Sequence, residues 1–67
     1  MNKTVDARGL SCPQPVIMAQ NAIAEGVFPI EVWVDTVTSR ENVLRMARFK
    51  GCQVEVLAQG DEFKLVL

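Results

Sequence analysis

Apolar residues at helical spacing dominate the chain between residues 13 and 27. They recur every three or four positions, which predicts a first helix over residues 13–25. The stripe consists of Val16, Ala19, Ile23 and Val27, and it is widened by Ile17, Met18 and Ala22. Gly26 is expected to end the helix, because glycine adopts the left-handed backbone of a helix C-terminus without strain. This helix is expected to be heavily buried.

A second helical pattern covers residues 38–50. Thr38 is followed three residues later by Glu41, which is the sequence pattern of a capping box, so the helix is expected to begin at Thr38. Gly51 is expected to end it after about Lys50. The predicted core-facing residues are Val43, Leu44 and Ala47.

Segments of alternating apolar and polar residues predict four β-strands. They cover residues 4–6, 30–34, 53–58 and 63–67, with a turn around Gly60 between the last two. The element order is therefore β-α-β-α-β-β. Two helical crossovers imply parallel neighbouring strands, and the hairpin adds an antiparallel strand.

This order predicts an α/β (α+β) two-layer sandwich, with both helices on one face of a mixed four-stranded sheet. The other face is expected to remain partly open, in agreement with the polar and aromatic residues on that side, Glu31, Trp33 and Glu55. A chain of 67 residues is expected to form one domain, over residues 1–67.

Charge and composition exclude several functional classes. A formal net charge of −1 gives no basic surface for nucleic acid, and no segment is apolar enough for a membrane span. The first residues show no signal-peptide pattern, and the two cysteines do not form a Cys-x-x-Cys motif. Without histidine there is no Cys–His dyad, no Ser–His–Asp triad and no His-ligated metal site. A reducing cytoplasm is the expected location.

Cys12 is the candidate nucleophile, because it precedes Pro13 and Pro15 at the predicted start of the first helix. Proline is favoured in the first turn of a helix, where backbone N–H groups lack an intrahelical partner. A thiol at this position lies near the positive end of the helix dipole, which favours the thiolate. Both prolines fix φ and are expected to hold the thiol at a defined angle. They leave mainly the amides of Cys12 and Gln14 to face an anion, which suits one sulfur atom better than a nucleotide.

Residues 6–15 read Asp-Ala-Arg-Gly-Leu-Ser-Cys-Pro-Gln-Pro and resemble the signature of the TusA/SirA-like sulfur-carrier family, with its Cys-Pro-x-Pro motif. A second match from Val34 to Val43, with Gly51 closing the second helix, extends the resemblance across essentially the whole chain. Within the family, the chain is most similar to the N-terminal domain of YedF-like proteins, which are associated with selenium metabolism. The resemblance implies the same two-layer architecture, and it implies neither a cofactor nor a metal.

The favoured hypothesis is a sulfur-relay protein. The resemblance implies that Cys12 receives sulfane sulfur, or selenium, from a donor such as a cysteine desulfurase and passes it as a persulfide to an acceptor enzyme. The sequence itself supplies a single activated thiol. Two alternatives stay open: a non-catalytic interaction or regulatory module linked to sulfur or selenium metabolism, and a thiol redox partner with Cys52 as the resolving residue. We expect Cys52 to be structural, as buried free cysteines usually are.

The loop before Cys12 is expected to be shaped by Asp6, Gly9 and Leu10. Asp6 is expected to accept hydrogen bonds from backbone amides near Arg8, as aspartate often does in turns. Gly9 is expected to have a backbone conformation that other residues avoid, and Leu10 is expected to anchor the loop to the core.

The candidate partner-binding residues are Arg8, Asp35 and Arg40. Arg8 is the cation nearest to Cys12 in sequence, suited to stabilise a thiolate or persulfide or to contact an acidic partner; the alternative is a solvated loop residue. Arg40 has no local partner on the predicted second helix, whereas Arg45 can pair with Glu41 four residues earlier.

Overall fold

Four strands and two helices follow the predicted order in the computed structural model, which describes residues 3–11 and 13–67. The strands are β1 (Lys3–Asp6), β2 (Ile30–Val34), β3 (Glu55–Gln59) and β4 (Glu62–Val66). The helices are α1 (Gln14–Glu25) and α2 (Val37–Phe49). The bounds of β2 are those predicted, and β3 begins two residues later than expected.

The sheet has the strand order β1-β2-β4-β3. β1 pairs with β2 in parallel, whereas β4 runs antiparallel to both β2 and β3. The expectation that the second crossover also makes parallel neighbours was wrong, because β4 lies between β2 and β3. Burial agrees with this order: Leu65 of β4 is fully buried, whereas most residues of the edge strand β3 are exposed.

One face of the sheet carries the core, and both helices cover it. α1 packs against β1 and β2, and α2 packs against α1 and β4. On the covered face Ile30, Val32 and Val34 are fully buried, while Glu31 and Trp33 point to the other face and are only partly buried. The predicted two-layer α+β sandwich with one open face is therefore confirmed.

Glycines end both helices as predicted, but the start of α2 differs. Gly26 has a φ of 75° and donates its N–H to the Ile23 carbonyl, and Gly51 has a φ of 85°. Thr36, not Thr38, caps α2: its Oγ1 accepts the Ser39 N–H at 3.0 Å. The capping-box prediction was wrong because Thr38 already lies inside the first helical turn, where its side chain cannot act as the N-cap.

Helix α1 is buried along a narrower face than predicted. Its fully or nearly fully buried side chains are Pro15, Ala19 and Ala22. Ile17 is 43% exposed, which contradicts the expectation that it widens the core stripe. In the described part of the chain, no helix combines the length and the apolarity that crossing a membrane requires.

Candidate functional site

The loop after β1, residues 7–11, leads to the predicted nucleophile. Ala7 is fully buried and its N–H bonds to the Trp33 carbonyl at 2.9 Å, so the chain stays attached to β2 for one residue beyond the strand. Gly9 has a φ of 74°, the left-handed conformation expected of it. Leu10 is 37% exposed, so the expectation that it anchors the loop to the core was wrong. The buried Ala7 serves that purpose.

Asp6 and Arg8 form a compact turn at the start of this loop. The Asp6 carboxylate accepts the Arg8 backbone N–H at 3.2 Å, which confirms the predicted turn hydrogen bond. It also accepts the Nε and Nη2 protons of the Arg8 guanidinium, both at 2.9 Å. The side-chain and backbone hydrogen bonds from Arg8 lower the Asp6 pKa from 3.8 to about 2. The same contacts raise the pKa of the Arg8 guanidinium further above its usual value.

Arg8 is held on the open face of the sheet by a second acid and a ring. Its Nη1 lies 3.0 Å from Glu62 Oε1, and its guanidinium carbon lies 5.5 Å from the centroid of the Trp33 ring. Lys64 contacts the same ring, with Nζ 5.6 Å from its centroid. Arg8 remains an exposed loop residue, and because two carboxylates already compensate its charge, it is not a cation reserved for the thiol. Its role toward a partner stays a prediction.

Asp35 contacts the same loop from the end of β2. Its Oδ2 accepts the Gly9 N–H at 2.8 Å. No local sequence pattern indicates this bond, because the two residues are 26 positions apart in the chain. Asp35 was expected to bind a partner, and the structure shows that it also holds the backbone three residues before Cys12.

The start of α1 lies at the protein surface. Cys12 itself lies outside the described residues, and both of its neighbours, Ser11 and Pro13, are exposed. The Gln14 N–H donates to the Ser11 carbonyl at 2.9 Å, and the Ile17 N–H donates to the Pro13 carbonyl at 3.1 Å. The expectation that the Gln14 amide faces an anion was therefore wrong, since a backbone carbonyl already accepts its proton.

A shallow apolar groove adjoins this surface, between the start of α1 and the second half of α2. Its volume is about 480 Å³, and its lining consists of Pro13, Val16, Asn42, Arg45, Met46 and Phe49. Phe49 is 85% exposed, which is unusual for so large an apolar side chain. Sequence reasoning missed this groove; the one available signal was a phenylalanine in the last turn of α2, off the predicted core face.

The arginines of α2 are arranged differently from the prediction. Arg40 pairs with Glu41, with Nη2 2.9 Å from Oε1, and its guanidinium carbon lies 4.8 Å from the Phe63 ring centroid. Arg40 therefore does have local partners, contrary to expectation. In the described part of the chain, Glu41 forms its ion pair with Arg40 and not with Arg45. Arg45 lines the apolar groove instead.

Cys52 lies just beyond α2 and is not among the residues that line the groove. It is half-buried, packs against the core, and its N–H donates to the Ala47 carbonyl at 3.0 Å. These contacts agree with the structural role expected of it. Among residues 3–11 and 13–67, no three histidine, cysteine, aspartate or glutamate side chains are grouped closely enough to hold a metal ion.

Comparisons with known proteins agree with the fold. The family model of the sulfurtransferase TusA matches residues 3–67. The crystal structure of a SirA-like protein from Desulfitobacterium hafniense is 37% identical and superposes with a TM-score of 0.88. That match covers 98% of this chain and 93% of the other. No curated protein matches the chain significantly. The chain belongs to the TusA/SirA sulfurtransferase family, whose members carry sulfur in relay pathways together with protein partners.

Proposed function

We propose that Cys12 carries sulfane sulfur as a persulfide, from a donor of the cysteine desulfurase type to the thiol of an acceptor enzyme. The observation that supports this most is the exposed start of α1. Ser11 and Pro13, on either side of Cys12 in sequence, are both exposed, and Pro13 lines an open apolar groove. A carrier needs such access twice, once for each partner. The reducing cytoplasm is the compartment in which this thiol chemistry operates.

The chemistry consists of two thiol exchanges. The Cys12 thiolate attacks the terminal sulfur of the donor persulfide, a new S–S bond forms on Cys12, and the donor cysteine leaves as a thiolate. The acceptor thiolate then attacks the terminal sulfur on Cys12, which returns Cys12 to its thiolate form. No external oxidant or reductant is needed, because the sulfane sulfur keeps its oxidation state throughout.

The thiolate form is favoured by the helix that follows Cys12 in sequence. The first turn of α1 contains no acidic residue that would oppose a negative charge. The partial positive charge of a helix N-terminus lowers the pKa of a nearby thiol. The nearest arginine in sequence, Arg8, is engaged with Asp6 and Glu62, so we assign the activation to the helix.

The groove beside Pro13 is the proposed docking surface for the donor. Val16, Met46 and Phe49 give it an apolar floor, and Arg45 adds a positive charge to its lining. A donor that fits has an apolar side chain next to its persulfide cysteine and an acidic group opposite Arg45. Apolar burial would supply affinity, and the charge pair would orient the encounter.

Intact-mass analysis tests the proposal. The wild-type chain, Cys12→Ser and Cys52→Ser are each incubated with a cysteine desulfurase and cysteine. Wild type and Cys52→Ser are expected to gain about 32 Da in a form that a reductant removes, and Cys12→Ser is expected to gain nothing. If Cys12→Ser is loaded and Cys52→Ser is not, Cys52 is the carrier and the assignment of Cys12 is wrong.

The same assay separates the remaining alternatives. A gain of about 79 Da with a selenium source would identify selenium as the cargo, which the YedF-like resemblance suggests. If no desulfurase loads the wild-type chain, a non-catalytic interaction module becomes the better account. Formation of a Cys12–Cys52 disulfide under mild oxidation would instead support a redox partner.

A further inference from the structure

We infer that Asp35 is a positioning residue for the loop that presents Cys12, acting through the backbone of Gly9. This inference rests on the proposed function of Cys12. The observation behind it is the hydrogen bond from the Gly9 N–H to Asp35 Oδ2, at 2.8 Å. It joins the end of β2 to the loop after β1.

Among the described hydrogen bonds, this one is the last that joins the loop to the sheet before Cys12 in sequence. Upstream, Ala7 is bonded to Trp33, and Arg8 is bonded to Asp6 and Glu62. Gly9 lies further along the loop, and it is followed by Leu10 and Ser11, which are both exposed. Without the Asp35 bond, the described hydrogen bonds would leave the loop unattached from Gly9 to the Ser11 carbonyl, which accepts the Gln14 N–H at the start of α1.

Asp35 is itself held firmly. It follows the buried Val34 at the end of the central strand β2, and Thr36 directly after it caps α2. Its backbone is therefore fixed by the sheet on one side and by a helix on the other. A carboxylate is also a stronger acceptor for a backbone N–H than a neutral group. These features make Asp35 a rigid support for a loop whose own side chains are mostly exposed.

Two effects of Asp35 on Cys12 have opposite signs, which allows them to be separated. A negative charge raises the pKa of a thiol within its reach, so removing the Asp35 charge does not raise the Cys12 pKa. As a support, it keeps the thiol near the start of α1, so removing the support raises the thiol pKa toward the unperturbed value of about 8.5. Asp35→Asn removes the charge and keeps an acceptor oxygen, whereas Asp35→Ala removes both.

The test is the pH profile of iodoacetamide alkylation at Cys12, read by mass spectrometry after trypsin digestion. Cys12 falls in the peptide 9–40 and Cys52 in the peptide 51–64, so the native chain needs no further substitution. We expect the pH midpoint of Cys12 alkylation to be higher in Asp35→Ala than in Asp35→Asn. We also expect the Gly9 amide to exchange with solvent about tenfold faster in Asp35→Ala than in wild type, as loss of a charged hydrogen bond predicts.

Two controls separate positioning from general stability. Val43→Ala removes buried core volume from α2 and leaves the Gly9–Asp35 hydrogen bond its two partners, and Asp61→Ala removes a carboxylate from the exposed β3–β4 turn. Neither is expected to move the Cys12 midpoint. The inference is overturned if the alkylation midpoints of Asp35→Ala and Asp35→Asn coincide. It is also overturned if the Gly9 amide exchanges at the wild-type rate in Asp35→Ala, or if Val43→Ala shifts the Cys12 midpoint as much as Asp35→Ala does. No sulfur donor is used, so failure of sulfur loading would count against the proposed function alone.

Discussion

Replacing Phe49 by alanine tests the proposed docking groove most sharply. Phe49 is 85% exposed, so its truncation removes almost no intramolecular packing. The free energy of unfolding is expected to change by less than about 0.5 kcal/mol, as for most surface substitutions. Phe49 can therefore be removed without confusing a loss of docking with a loss of fold.

The expected loss of affinity follows from the exposed area. Fully burying a phenylalanine side chain contributes about 1.5–3 kcal/mol. Nearly all of that remains available at Phe49, because only a small part of the side chain is covered in the free protein. If the donor covers about two thirds of it, Phe49→Ala costs about 1–2 kcal/mol, which weakens Kd roughly 5- to 30-fold.

The assay measures the loading rate of Cys12 against chain concentration, with the desulfurase that loads the wild-type chain. Phe49→Ala should raise KM, or Kd by titration calorimetry, and leave the rate at saturation nearly unchanged, because it touches no reacting atom. Phe28→Ala is the matched control, since Phe28 is 45% exposed and lies outside the groove. An unchanged KM for Phe49→Ala, or an equal increase for Phe28→Ala, would refute the docking surface.

Three further predictions concern the cap of α2, the contact between Asp6 and Arg8, and the Cys12 thiol. Thr36→Ala should lower the free energy of unfolding by about 1 kcal/mol, or the Tm by about 4–8 °C, whereas Thr38→Ala should leave both unchanged. Equal effects of the two substitutions in thermal unfolding would contradict the observed cap. Asp6 should titrate near pH 2 when it is followed by carboxyl-carbon NMR, and Arg8→Gln should move the Asp6 pKa back toward 3.8. Because the pKa of Asp6 is lower in the folded chain than in the unfolded chain, its contact with Arg8 stabilises the fold above about pH 4 and loses this contribution between about pH 4 and 2. A titration midpoint of Asp6 near pH 4 in the wild-type chain would contradict this contact. The Cys12 thiol should titrate below about 8.5 by alkylation, and a midpoint at or above that value would exclude activation by the helix start.

Local sequence signals predicted most of the secondary structure. The alternation from Ile30 to Val34 defined β2 to the residue, since every second side chain enters the core. Gly26 marked the end of α1, because the left-handed conformation at that point favours glycine. The start of α2 was missed because Thr36 and Thr38 are both acceptable caps, and the glutamate after Thr38 favoured the wrong one.

The strand order could not be read from the chain, because either strand of the final hairpin can pair with β2. The contacts around the site were missed for a similar reason. The Gly9–Asp35 hydrogen bond and the packing of Arg40 on Phe63 each join residues more than twenty positions apart. Local patterns suggested the residue types but not these partners, which depend on how the strands and helices are assembled.

Release of sulfane sulfur to cyanide tests the central claim most directly. Chains loaded by a desulfurase are separated from the donor and treated with cyanide, which takes the terminal sulfur as thiocyanate and leaves the Cys12 thiolate. We predict an equimolar yield of thiocyanate from wild type and from Cys52→Ser, and none from Cys12→Ser. Thiocyanate from Cys12→Ser at the wild-type level, or none from a loaded wild-type chain, would contradict the assignment of Cys12 as the sulfur carrier.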